Sequence, residues 1–428
     1  MTNNRHRYGF GNATTIRGVG IVLIVIVLAV TIFALSRHTV GRSTTISGMP
    51  TASSTATSAT ATPLPHVATL QNLLTPAQAW GNYAKQVVMS GNFGGHAMQD
   101  IFPDGSAFVE GKYADPDNTA LSMIPIAHPT NGHVVYTTPQ GASSVFARTD
   151  GRFVAWMSTM KVSGGPDAGL QFVGYIDLQT QRVTTLADGA KGSVSATWEA
   201  EMAVDHGYLL WAPLNGSQSS LAIINMVTGQ SKIIAPNLSK TYVNEIQLSY
   251  PYVFYTNDSI PHIYDLTTDH DTVLSQIQLQ TNELRVFALY GSTLFWEHGN
   301  SSVLVASGST SVAVDEIDHA DQTGAKLQHI AEYDASSVVS ELVANDRLIA
   351  WGGGADTFAW DRVQHRFITF TAGDVAVDRV QHPLSASSAN GGGLLLFMRG
   401  ATFAFIPSIG NNLNYTFIDT TKLPVTAP

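Results

Sequence analysis

The chain has no cysteine. Disulfides, thiolate metal ligands and cysteine nucleophiles are excluded together, so its stability is indifferent to the redox state of its compartment. Charge is scarce as well, at 13% against 44% apolar residues, which supports a large core and excludes wholesale disorder. Acidic residues are missing before Asp100, whereas Arg5, Arg7, Arg17, Arg37 and Arg42 all fall in the first 42 positions. Beyond them the balance reverses to 17 basic against 32 acidic side chains. A body that acidic does not suit a phosphate backbone, and no nucleic-acid partner is expected. Local catalytic signatures are missing too: there is no G-x-S-x-G elbow, H-E-x-x-H pair, Walker A loop or G-x-G-x-x-G after a strand. Any catalysis would have to be assembled from single residues on separate repeats.

What is present begins with one apolar run. Residues 18–35, GVGIVLIVIVLAVTIFAL, carry no charge and as a helix would extend about 27 Å, enough to cross a hydrocarbon core. No A-x-A cleavage site follows, so an uncleaved signal anchor is expected, with residues 1–17 as a cytoplasmic tail. Cleavage just after the span would release the same body outside. Either way the C-terminal domain is expected to be extracytoplasmic, on a single-pass cell-membrane protein. Residues 43–67 contain twelve Ser or Thr with little to bury, and the stretch 36–67 is expected to be a disordered tether. A short amphipathic helix is then predicted over 75–90. Thr75 is a good N-cap, Pro76 suits the first turn, Gln78 completes a capping box, and Trp80, Tyr83, Ala84, Val87 and Val88 fall on one face. That face is expected to pack on the body that follows.

From residue 93 onward the period is that of strands. Short apolar runs end in an aromatic at Trp156, Trp211, Tyr255, Trp296, Trp351 and Phe397, spaced 55, 44, 41, 55 and 46 residues apart, each after a turn such as Asp150-Gly151 or His206-Gly207. Asp177, Asn225, Asp265 and Asp361 follow as candidate turn formers, since an Asx side chain can bond the backbone two residues on. The recurrence marks the aromatics as packing residues. Four strands repeating every 40 to 55 residues predict an all-β fold, a β-propeller over 93–428 of seven four-stranded blades, or six if the first is a partial blade or a cap. FPDGSAFV at 102–109, with the turns at Asp150-Gly151 and Asp177-Leu178, resembles the repeat motif of TolB-like (PD40-type) propellers. The resemblance implies a propeller outside the cytoplasmic membrane and no particular ligand.

In a four-stranded blade (A innermost, D outermost) the A–B and C–D turns share one face of the ring, and the B–C and D–A connections share the other. The long segments 158–169, 187–200, 213–220, 275–282, 315–337 and 371–384 all read as B–C or D–A, and variable loops on a rigid scaffold are where binding sites usually lie. The candidate ligand-binding residues are therefore Asp167, Trp198, Asp315, Asp318, His319 and Asp321. DEIDHAD at 315–321 is the densest acidic cluster, but it lacks the spacing of a calcium loop, and no cofactor is expected beyond a divalent cation such as calcium there. The expected role is a binding module for a protein, peptide or small molecule outside the membrane. The alternative is a hydrolase or lyase acting on sugars or small molecules through carboxylates at the channel mouth.

Overall fold

The computed structural model describes residues 73–426 except 90–95, 113–119, 138–141, 162–168, 189–201, 213, 216–217, 239–245, 258–259, 275–282, 301–309, 319–327, 336–340, 354–355, 371–393 and 408–412. All belong to the compact unit Pro63–Pro428. The expected tail, membrane span and tether, residues 1–67, lie outside the described residues. Among the described residues no helix is long and apolar enough to cross a membrane.

Six sheets are each built from four or five consecutive strands. The first comprises His96–Ile101, Ala107–Lys112, Ala120–Pro125 and His133–Thr137, and the second Ala142–Thr149, Phe153–Lys161, Gly169–Asp177 and Arg182–Asp188. The third comprises Met202–Asp205, Tyr208–Trp211, Gln218–Asn225 and Ser231–Leu238, with the short strand Leu214–Asn215 paired back onto Gln218–Asn225. The fourth comprises Gln247–Ser249, Tyr252–Asn257, Ile260–Asp265 and His270–Val273. Glu283–Tyr290, Thr293–Asn300, Thr310–Asp318 and Gln328–Ala335 make the fifth, and Glu341–Ala344, Leu348–Gly353, Asp356–Asp361 and Arg366–Phe370 the sixth. A last sheet is composite: Leu394–Arg399, Thr402–Pro407 and Leu413–Asp419 take their outer strand, Ala84–Met89, from the other end of the chain. Each inner strand touches the next, and Leu394–Arg399 touches His96–Ile101, which closes a propeller ring.

The core lies between sheets, one apolar cluster per junction. Val109, Leu121, Val154 and Trp156 fill the first, Phe254, Phe287 and Trp296 the fourth, and Phe108, Tyr415 and Phe417 the closing one. The repeated aromatics Trp156, Trp211, Tyr255, Trp296 and Trp351 are all buried, each four residues into its B strand. Burying a side chain of that size contributes roughly 1.5–3 kcal/mol. Gly174 shows how close the fit is: a Cβ there would stand 2.6 Å from Thr184 O and 3.0 Å from the Trp156 ring. Turns follow from local chemistry. His206 and Gly207, at φ +49° and +78°, make a two-residue hairpin whose central residues both need positive φ. Asp177, Asn225, Asp265 and Asp361 end C strands, and each Oδ1 accepts backbone N–H groups one turn on, such as Gln179 N at 2.9 Å and Val227 N at 3.0 Å.

Three expectations need correction. The helix predicted over 75–90 covers only Pro76–Trp80; its capping box is present, but Gly81 turns the chain at φ +64° and Ala84–Met89 is a strand. The helical stripe was a local pattern, and tertiary demand overrides it. Leu413–Asp419 would otherwise expose an unpaired edge, and Val87 pairs opposite Tyr415 to cover it. The propeller therefore starts before residue 93. Phe397 lies on an A strand, and the position equivalent to the other aromatics is Phe405 on Thr402–Pro407. Finally, 315–318 is not loop: Thr310–Asp318 is the C strand of the fifth sheet, paired without a break to Thr293–Asn300, while the register shift with Gln328–Ala335 puts the extra residue, Ile330, in that outer strand.

Candidate functional site

The structure divides the sequence-predicted site residues. Asp167, Trp198, His319 and Asp321 lie outside the described residues. Asp315 sits within a strand, opposite Trp296 on one side and His329 on the other, and Asp318 ends that strand opposite Thr293. This last position is informative. Phe153 faces Asp177, Tyr208 faces Asn225, Tyr252 faces Asp265, Leu348 faces Asp361 and Thr402 faces Asp419, each the first residue of a B strand against the last of a C strand. Thr293 and Asp318 are the same pair in the fifth sheet, so Asp318 occupies the repeat's turn-forming position. The connection after it, 319–327, joins a C strand to a D strand and is not the B–C or D–A segment expected.

The other connections keep the predicted sorting only in part: C–D turns have four or five residues at 178–181, 226–230, 266–269 and 362–365 but seven at 126–132, and B–C links of two residues occur at 258–259 and 354–355. A–B turns run from two residues, at 206–207, 250–251, 291–292 and 400–401, to five at 102–106. The B–C and D–A connections include 162–168, 189–201, 301–309 and 371–393.

The polar groups that the structure does bring together are on the A–B turn face, and they join neighbouring sheets. Asp100 Oδ2 accepts from Thr149 N at 2.9 Å, Asp150 Oδ2 from Gly207 N at 2.6 Å, Asp205 Oδ2 from Tyr250 N at 2.8 Å, and Ser249 Oγ from Gly291 N at 2.7 Å. The Tyr290 hydroxyl meets the backbone of Asp346, and burial first, then the Asp346 carboxylate, raises its pKa above that of an ordinary phenol. Asn345 Nδ2 donates to Gly400 O at 3.1 Å, and Thr402 Oγ1 to Pro103 O at 3.0 Å. Arg399 completes the circuit, its Nε 3.0 Å from both oxygens of Asp100. Burial alone would lower the Arg399 pKa; Asp100, with Asp205 and Asp150 farther off, raises it above its ordinary value. These carboxylates converge near one channel mouth, yet each is engaged by a backbone N–H or a guanidinium. They latch the ring. Sequence reading missed them because partners lie 42 to 57 residues apart at no fixed spacing, and 299 apart at the closing junction, although a polar residue at or beside every A–B turn was visible.

Two further groups depart from the repeat. At the position where other B strands carry an aromatic, the first sheet has Glu110, buried at 6% exposure. Burial and the Glu110 charge together push the nearby Tyr415 phenol far up, so it stays protonated. In the fourth sheet His262 Nδ1 lies 2.9 Å from Asp271 Oδ2, which also accepts from Tyr255 OH at 2.9 Å, while the Tyr255 and His262 rings stack at 4.7 Å. Burial, then Asp271, raises the Tyr255 pKa strongly. The cluster ties the B, C and D strands of that sheet together. Among the described residues no group of three or more His, Cys, Asp or Glu is placed to hold a metal ion.

No protein-family model matches the chain, and no curated protein does. Solved structures similar to it include an oligogalacturonate lyase in complex with manganese, at 12% identity over 80% of this chain and 98% of that one, TM-score 0.46. The β-propeller domain of the Trilobed protease from Pyrococcus furiosus matches at 9% identity over 76% and 95%, TM-score 0.46. TolB from Acinetobacter baumannii matches at 13% over 58% and 60%, TM-score 0.35. The chain spans under half the length of two peptidase chains it also matches.

Proposed function

We propose that this chain is a binding module: a propeller that presents a protein, peptide or small-molecule site on its B–C/D–A face. One observation carries the reading. The A–B turn face is locked sheet to sheet by its own polar groups, whereas all but one of the longest connections emerge on the opposite face. A scaffold rigid on one side and variable on the other suits recognition. The enzymatic alternative asks for free carboxylates at a channel mouth, and those on the A–B side are held as hydrogen-bond acceptors. Asp167 and Trp198 remain the residues we assign to the site. With residues 18–35 as an anchor and 36–67 as a tether, the module would stand outside the cell membrane.

The test uses the full chain in detergent against peptide and glycan arrays. It compares the parent with one variant whose connections 162–168 and 189–201 are replaced by short Gly-Ser links, and another carrying Asp205→Asn. Retention lost in the first and kept in the second supports the assignment; the reverse overturns it. Protease digestion of intact cells tests the topology, and a body protected until lysis would sink the outside placement.

A further inference from the structure

Both ends of the described chain arrive at the junction of the sixth sheet and the composite one. From the N-terminal side, Leu74 bridges Ile368 in parallel on the outer edge of the sixth sheet; Leu74 N donates to Phe367 O at 3.1 Å and Thr369 N to Leu74 O at 2.9 Å. Trp80 then enters the junction with its ring 6.0 Å from that of Phe370, before Ala84–Met89 joins the composite sheet. From the C-terminal side the turn Thr420–Lys422 brings Leu423 into the same apolar cluster.

At the centre is a buried ion pair. Asp361 is fully buried and Arg347 is 8% exposed, with Arg347 Nη2 3.1 Å from Asp361 Oδ2. Asp361 Oδ2 also accepts from Trp80 Nε1 at 3.1 Å. Arg347 Nη1 donates to Leu423 O at 2.7 Å and Nη2 to Pro424 O at 2.6 Å, and Gln364 Nε2 reaches the same Pro424 carbonyl at 2.7 Å. The acid thus holds the N-terminal strap, the guanidinium holds the C-terminal tail, and each orients the other.

We propose that the strap 73–89 and the tail 420–424 form one two-ended lock, in which seating of either end strengthens the other through Arg347 and Asp361. Release of the tail would leave buried guanidinium donors without acceptors. The pair would then hold Trp80 less firmly, and the ring would loosen at this junction. Among the described residues only the composite sheet takes its outer strand from a remote segment, so loosening costs one short ladder and leaves the other sheets intact. The device makes closure of the ring conditional on how 73–89 and 420–424 are seated. By linkage the coupling runs equally in both directions.

Hydrogen exchange on the full chain tests this in both directions. A chain ending at Asp419 should exchange the amides of 84–89 about 10- to 100-fold faster than the parent, as expected for loss of hydrogen bonds to a charged group. The amides of Tyr252–Asp265 should be unchanged. In the opposite direction, replacing Trp80 by 3-benzothienylalanine, which keeps a bicyclic ring of nearly the same size and removes the N–H, should speed exchange at Leu423 N, bonded to Thr420 O in the parent. Three results overturn the proposal: unchanged protection of 84–89 in the truncated chain, equal loss in every sheet, or an unaffected Leu423 in the Trp80 isostere. The isostere keeps the bicyclic ring in its buried place, so it decides the matter even where truncation impairs folding.

Discussion

The two faces of this propeller are made from the same repeat and have been put to different uses. On the A–B side the turns are short, and their polar residues reach sideways to the next sheet. Asp150 illustrates the economy of that arrangement: one carboxylate oxygen accepts from Arg152 N and Phe153 N to form its own turn, and the other accepts Gly207 N across the junction. On the B–C/D–A side the connections vary from sheet to sheet, from two residues at 258–259 and 354–355 to twenty-three at 371–393. A ring needs rigidity only once per junction. Locking all junctions on one face frees the other from any duty to hold the sheets together.

The sharpest way to break this comparison is to remove a latch. Asp100 is 2% exposed, and its carboxylate accepts from Thr149 N, Ile101 N and Arg399 Nε. Asp100→Ala leaves a guanidinium and a backbone N–H unmatched, and should lower stability by about 3–5 kcal/mol, read as a fall in the denaturation midpoint. Replacing the connection 162–168 by a link of equal length should move that midpoint by less than about 1 kcal/mol. Equal losses from the two changes would abolish the distinction between the faces.

A smaller effect is expected one register along. Asp205 is only partly buried, and its Oδ2 accepts Tyr250 N. Asp205→Ala should cost about 0.5–1.5 kcal/mol, the net value of an ordinary hydrogen bond. Its His206 neighbour, an exposed partner at 2.9 Å, adds little to that.

How much of this was legible beforehand depends on the range of the interaction. The B-strand aromatics and the Asx positions were readable because packing phase and turn chemistry act within a few residues, and Trp156 and Asp177 are where the pattern put them. The closing strand was misread because helical spacing over Trp80 to Val88 is a local signal, whereas the unpaired edge of Leu413–Asp419 that recruits it lies more than three hundred residues away. Thr310–Asp318 was misread for a second reason: three of its last four residues are acids, and a run of acids resembles a loop. The latches had the least local signal of all.

Acid should strike the turn side. The Arg152 guanidinium first of all, with the backbone of Gln179, holds Asp177 below the usual carboxylate range; at Asp265, burial would raise the value, but Thr267 and Thr268 together lower it. Lys422 and Thr421 lower Asp419 likewise. A carboxylate lowered in the folded state contributes stability that is complete above its unfolded value, about 3.9, and is lost as pH falls through the folded one. Stability should therefore be flat near neutrality and decline below about pH 4. Asp265→Asn, which keeps an acceptor for the turn but cannot titrate, should shallow that decline by starting from a slightly lower neutral value. A decline just as steep in the variant would show that these turns play no part in it.

The smallest expected effect carries the finest distinction. Asp318 shares its register position with Asp177, Asn225, Asp265, Asp361 and Asp419, five residues whose side chains accept from the turn that follows. Read as a ligand contact, Asp318 belongs to the binding site; read as the sixth member of that series, it belongs to the scaffold. The two readings separate under paired substitution. Asn keeps the side-chain oxygen that a turn requires, and Asn225 shows that the repeat accepts it. Asp318→Asn should therefore leave the denaturation midpoint within about 0.5 kcal/mol of the parent, while Asp318→Ala lowers it by about 1 kcal/mol. Ligand retention should be the same in both. Binding lost in Asp318→Asn with the midpoint unmoved would return Asp318 to the site, and would place recognition on the turn side of the ring after all.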